Sequence, residues 1–133
     1  MKQQPVIKVL KVEPDKAPEL IEMKNELEAM QAIVGGYIEV FPLADDVAIV
    51  CNEEGKINGL PLNRPIYYNG EIVEIIAGTF FIAGDDISIG EFVSLTDAQI
   101  AQYQKQFFSP VTFMKIGGKI IAIPLHGGGE YNG

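Results

Sequence analysis

Side chains able to do chemistry concentrate between Gly35 and Arg64 (GGYIEVFPLADDVAIVCNEEGKINGLPLNR), a stretch that holds the only Arg and the only Cys of the chain. Nucleophilic catalysis by Cys51 needs a base within reach, and the single His, His126, sits in the glycine-rich C-terminal stretch HGGGEYNG. Cys51 also closes the run AIVC, where a small buried hydrophobe is expected. One His, one Cys and scattered carboxylates lack the spacing of zinc ligands. The adjacent acids Asp45-Asp46 and Asp85-Asp86 read as solvated turns, without the loop scaffold of a calcium site. Glu39, Glu53, Glu54, Glu71 and Glu74 are acid–base candidates whose convergence the sequence does not reveal. GGY follows a helix, whereas a phosphate-binding loop precedes one. HGGGE lacks the G-x-S-x-G elbow that accompanies an esterase oxyanion string. No catalytic residue, metal ligand or cofactor is therefore expected.

What remains is a turn rich in hydrogen-bonding groups. Asn52, Asn58 and Asn63, with Lys56 and Arg64, supply donors and acceptors, and Tyr37 supplies an aromatic face. Such a set suits recognition of a base edge, a sugar or a phosphate better than bond breaking. The same Asn residues also suit turn capping for purely local reasons.

The chain has 133 residues, 47% hydrophobic and 21% charged, which fits one domain with a buried core. No apolar run reaches the roughly 18 residues of a membrane span. MKQQPVIKVLKVEP has no apolar core of a signal peptide, and a single Cys forms no disulfide framework, so a cytoplasmic protein is expected. The net charge is −8, with residues 25–95 holding twelve acids against Lys56 and Arg64. Direct nucleic-acid binding needs a basic stripe that is missing, and an anionic membrane surface is equally unsuited. An acidic face suits a basic host protein, or imitation of the phosphates of DNA.

The elements that would position these groups alternate short strands with turns. Val6–Val12 reads as a half-buried strand, paired through EPDKAP with Glu19–Met23. Asn25 is placed as an N-cap with Glu28 as its capping-box partner, for a helix that buries Leu27, Met30, Ile33 and Val34 and stops at Gly35-Gly36. Tyr37–Phe41 and Val47–Cys51 read as strands across PLADD, and NEEG as a hairpin turn leading to a strand at Lys56–Leu60. Pro61 and Pro65 confine Pro61–Ile66 to an edge or loop. Asn69-Gly70 is a strong hairpin signal, and Glu71–Ala83 reads as one strand with a bulge at Gly78-Thr79. Thr96 with Gln99 predicts a capping box, Leu95 and Ile100 a hydrophobic staple, and the helix to about Phe108 buries Ile100, Tyr103 and Phe107. Phe113–Ile123 predicts a last hairpin on Gly117-Gly118, and residues 126–133 a flexible tail. Seven or eight short, mostly antiparallel strands with two helices make an α+β domain over residues 1–125. The apolar strands could leave an edge that pairs in a homodimer.

The ordered motifs Val34–Glu39 (VGGYIE), Asn52–Lys56 (NEEGK), Gly59–Asn63 (GLPLN) and Gly78-Thr79 resemble the domain-of-unknown-function family thirty-eight forty-six, over about residues 6–84. That resemblance implies a small accessory protein of phages, plasmids and conjugative elements of gut Firmicutes, or of large DNA viruses. Such genes often counter host defence. The expected function is a non-enzymatic binder that sequesters a small polar, nucleotide-like signal through Tyr37, Asn52, Lys56, Asn58, Asn63 and Arg64. The alternative is an acidic module that inhibits a host nucleic-acid enzyme.

Overall fold

The computed structural model describes residues 4–125, so the expected tail at 126–133, with His126, lies outside the described residues. Among the described residues there are ten strands and two helices: more strands than expected, within the same α+β class. The central sheet contains β1 (Val6–Val12), β2 (Glu19–Lys24), β3 (Ile38–Ala44), β4 (Val47–Asn52), β7 (Phe80–Asp86) and β8 (Glu91–Val93). Its order is β2-β1-β7-β4-β3, with β8 also on β7, and every pair is antiparallel. Two separate hairpins complete the strands: β5 (Leu62–Tyr68) with β6 (Glu71–Ala77), and β9 (Val111–Ile116) with β10 (Lys119–Pro124).

Strand alternation sends side chains to two faces of the central sheet, and each face has its own core. Ile7, Val9, Val50, Phe81 and Ala83 pack on one side with Met30 and Val34 of helix α1 (Leu27–Val34). Leu10, Val12, Val47, Ile49, Phe80 and Ile82 pack on the other with Tyr103 and Phe107 from helix α2 (Asp97–Gln106) and its end, and with Ile66 and Ile76 of the β5–β6 hairpin. Phe80 and Phe81 are fully buried on opposite faces, each stabilising its layer by about 1.5–3 kcal/mol. The edge ring of Phe107 meets Phe80 at 5.9 Å, which fixes α2 over the sheet.

Several local expectations are met for their stated reasons. The Thr96 hydroxyl accepts from the Gln99 amide while the Gln99 side chain accepts from the Thr96 amide, a complete capping box. Gly35 ends α1 in the left-handed region at φ 81°. Gly117 and Gly118 both have positive φ (57° and 81°), making the two-residue turn that joins β9 to β10.

Others are corrected. Asn25 caps nothing: Glu26 takes the N-cap position without a side-chain bond, while the buried Asn25 amide donates to the carbonyls of Gln4 and Phe92. Leu27, expected in the core, is exposed. Residues 53–59 form successive turns in place of a strand at Lys56–Leu60, closed by Asn58 N to Glu54 O at 2.8 Å. Glu71–Ala83 is two strands in different sheets, because Gly78 (φ 80°) redirects the chain between β6 and β7.

Candidate functional site

The Asn-rich segment does not converge as one recognition surface. Asn52, at the end of β4, donates from its amide to Val34 O at 3.2 Å and accepts from Glu54 N at 2.8 Å. It therefore ties the end of α1 to the turn. Tyr37 abuts the same place through its carbonyl, which accepts from Glu53 N, and its ring is exposed. Lys56 lines the same depression as Asn52 but is ion-paired with Glu74. Asn58 is exposed at the far side of the turn.

Asn63 and Arg64 require a correction, because their polar atoms are committed inside the protein. The Asn63 amide donates to Val12 O and Gly78 O, both at 2.9 Å, joining β5 to β1 and to the β6–β7 corner. Arg64 is 1% exposed. Its Nε donates to Phe107 O at 3.1 Å, its Nη2 to Lys16 O at 2.6 Å, and its Nη1 to Asn63 Oδ1 at 2.8 Å and to the carbonyls of Glu13 and Pro14. One guanidinium thus staples the β1–β2 turn to the C-terminal end of α2, where a cation is also favoured by the helix dipole. Burial pushes its pKa down to about 10, so it stays charged at neutral pH.

The depression beside the turn, about 290 Å³, is lined by Glu39, Glu53 and Glu74 with Lys56 as its only cation. The hydrogen bond from Lys56 holds the Glu74 carboxyl below the usual carboxylate range, so that pair is mutually neutralised and the remaining balance is negative. An anionic group is repelled there. Cys51 borders the same space, and burial, reinforced by Glu39 and Glu74, pushes its thiol up to about 11. It is a protonated core residue at neutral pH, without thiolate reactivity. Asp45, Asp46, Asp85 and Asp86 line a separate shallow depression. Among the described residues no group of three or more His, Cys, Asp or Glu side chains is placed to hold a metal ion.

A more favourable cavity lies between the two outer hairpins. Hairpin β9–β10 packs its inward face toward hairpin β5–β6, leaving two connected hollows of about 450 and 500 Å³ that share Tyr67 and Ala122. The larger is walled by Pro65, Tyr67, Phe108, Val111 and Pro124, with Lys105 at its mouth and the Arg64 staple behind it. Lys119 stands opposite Glu71 in the other. Both volumes lie in the range of small-molecule sites; the lining of the larger is mainly apolar with Arg64 and Lys105 as its charges, and that of the smaller is about evenly polar and apolar with Lys119 and Glu71. Tyr67 is 52% exposed, which leaves its ring free for stacking. Sequence reading passed over these residues, which are separated by about forty positions. The available signal was the YY pair before the Asn69-Gly70 turn, together with a stretch, 109–125, that contains Lys115 and Lys119 and no acid.

The family described as a domain of unknown function (DUF3846) matches residues 7–108, and the chain belongs to it. The matched region ends at the close of α2, so the β9–β10 hairpin lies beyond it. No curated protein and no solved structure shows significant similarity to the chain.

Proposed function

We propose that this member of the DUF3846 family is a non-enzymatic binding protein that sequesters a small nucleotide-like ligand, as an accessory product of a phage or mobile element that counters host defence. The observation that carries the reading is the cleft between the two hairpins. A half-exposed tyrosine ring, apolar walls and the cations Lys105 and Lys119 suit a planar base bearing an anionic group. The polar turn at Asn52–Lys56 suits such a ligand less well, since three carboxylates face that depression. Tyr37 and Asn58 remain exposed beside it and do not line the cleft.

Native mass spectrometry of the protein purified from a phage-challenged host tests this, with Tyr67→Ala and Lys105→Glu run alongside. The expected result is an adduct of a few hundred daltons, released on denaturation and lost in both variants. Base–aromatic stacking contributes about 1–3 kcal/mol, so Tyr67→Ala is expected to weaken binding of the identified compound roughly 5- to 150-fold. No adduct, or an adduct unchanged in both variants, overturns the reading.

A second reading has its own observation. Eight of the twelve acids in residues 25–95 are exposed, Asp45, Asp46, Glu53 and Glu54 among them. Exposed acids of this number suit a basic host protein, including an enzyme of nucleic acids. A clean apo mass, with a basic protein that copurifies at low salt and dissociates at high salt, would favour this reading instead.

A further inference from the structure

We infer that Asn69 is a site of spontaneous covalent modification, deamidating at the tip of the β5–β6 hairpin while the other described Asn-Gly pair, Asn58-Gly59, is protected. Asn is among the thermolabile residue types. The amide nitrogen of the residue that follows it attacks the side-chain carbonyl carbon, Cγ. A bond forms from that nitrogen to Cγ, the bond from Cγ to Nδ2 breaks, and ammonia leaves with the proton that the attacking nitrogen gives up. Solvent water then opens the cyclic imide. Addition at Cγ yields aspartate. Addition at the α-carbonyl carbon yields isoaspartate, whose main chain runs through the former side chain. Glycine is the most permissive follower, having no Cβ to crowd the ring closure. The chain has three such pairs, at 58-59, 69-70 and 132-133, and the last lies outside the described residues.

Both described pairs are exposed, so access of water does not distinguish them. Hydrogen bonding does. The reaction needs an uncommitted nitrogen and a backbone free to swing Cγ onto it. At 58-59 neither is available. Gly59 N donates to Lys56 O at 3.2 Å, Asn58 N to Glu54 O at 2.8 Å and Leu60 N to Gly55 O at 2.9 Å, so three successive amides hold the turn. At 69-70 the ladder stops on either side. Tyr68 pairs with Glu71, and Asn69 and Gly70 form the two-residue turn between them. Both have positive φ, 51° and 78°, as the preferred hairpin turn for this dipeptide requires. Among the described residues nothing bonds to Gly70 N or to the Asn69 side chain. The nucleophile and its target are therefore both uncommitted at the outermost point of the hairpin.

The product changes that hairpin in two ways. Either acid adds a negative charge next to Glu71, where Gly70 and Glu71 border the smaller hollow. Isoaspartate also adds a main-chain carbon to a turn whose length sets the register of β5 against β6. Charge and strand register at this end of the cleft thus change with the age of the molecule, and no enzyme is needed.

Peptide mapping by mass spectrometry tests this on the full chain, incubated in mildly alkaline buffer at body temperature. No ligand is added, so the outcome is separable from that of the ligand reading. In the folded protein the amide-to-acid mass gain is expected at Asn69 at least about fivefold faster than at Asn58, the factor equivalent to one hydrogen bond that must first open. In urea, where neither turn persists, the two rates are expected to approach each other. Asn58→Gln is expected to leave the Asn69 rate unchanged. A folded protein in which Asn69 stays intact, or in which Asn58 reacts as fast, overturns the inference. So does a preference for Asn69 that persists unchanged in urea, which would assign it to the neighbouring residues in sequence.

Discussion

Arg64→Ala gives the sharpest test of how this fold is held together, because it separates a structural arginine from a ligand-binding one. The guanidinium serves acceptors of two kinds. Asn63 Oδ1 and Phe107 O are on buried residues, and each loses its Arg64 donor in the variant. An unsatisfied buried acceptor costs about 1–3 kcal/mol. The carbonyls of Glu13, Pro14 and Lys16 lie in a turn that water reaches once the side chain is gone, so their loss costs less. The void left by the side chain adds a further penalty. Together these give about 3–5 kcal/mol, a large fraction of the 5–15 kcal/mol typical of a domain. Urea denaturation followed by circular dichroism reads this directly, as a fall in midpoint at constant slope. Arg64→Lys is expected to fall between wild type and Ala, since a single ammonium cannot serve Phe107 on one side and Lys16 on the other. A loss below about 1 kcal/mol in Arg64→Ala would refute the staple, showing that water replaces the arginine at every acceptor.

Two further outcomes follow from the groups beside the turn. Cys51, with its thiol pushed up to about 11, should react with iodoacetamide at pH 8 about a hundredfold more slowly in the folded protein than in urea, and equal rates would contradict its burial. The lowered Glu74 carboxyl stabilises the fold above its unfolded value near 4.5, and that contribution disappears as pH falls through the lower folded value. Wild type is therefore expected to be more stable than Glu74→Gln at pH 7 by a small margin, under about 1 kcal/mol for a part-exposed pair, and the two should converge once the pH has fallen below the lowered folded value. A margin that persists into acid would mean that the Lys56 contact is not its source.

The parts of the fold that were legible in the sequence are those decided within a few residues. Thr96 and Gln99 form their capping box because both halves of it lie in one turn of helix. Asn69-Gly70 and Gly117-Gly118 turn their hairpins because the positive φ they adopt is intrinsic to those residues. Asn25 shows the limit. Its spacing to Glu28 satisfies the same capping rule as Thr96, yet the carbonyl of Phe92, far along the chain, captures its amide. A local rule states what a side chain can do, and tertiary competition decides what it does. The long run Glu71–Ala83 was divided for a similar reason: the central sheet takes β7, buried from Phe80 to Gly84, between β1 and β4 and leaves β6 to pair with β5.

The same contrast explains why the candidate site moved. A cluster of Asn, Lys and Arg close in sequence reads as recognition chemistry, but the polar capacity of Asn52, Asn63 and Arg64 is what lets a chain with so many short connections close upon itself. Each links segments that no backbone ladder joins: α1 to the turn after β4, β5 to β1, and the β1–β2 turn to α2. Residues with that duty have little hydrogen-bonding capacity left for a ligand. Residues without it are left with free faces, and here those are Tyr67, Lys105 and Lys119, contributed by β5, α2 and β10. Their proximity exists only once Arg64 has fixed the end of α2 beneath the last hairpin. On this argument Arg64 acts on ligand binding through the shape of the cleft. In Arg64→Lys, therefore, affinity for a cleft ligand should fall with stability, whereas Tyr67→Ala should lower affinity at unchanged stability. An Arg64→Lys protein of reduced stability that kept full affinity would separate the staple from the site.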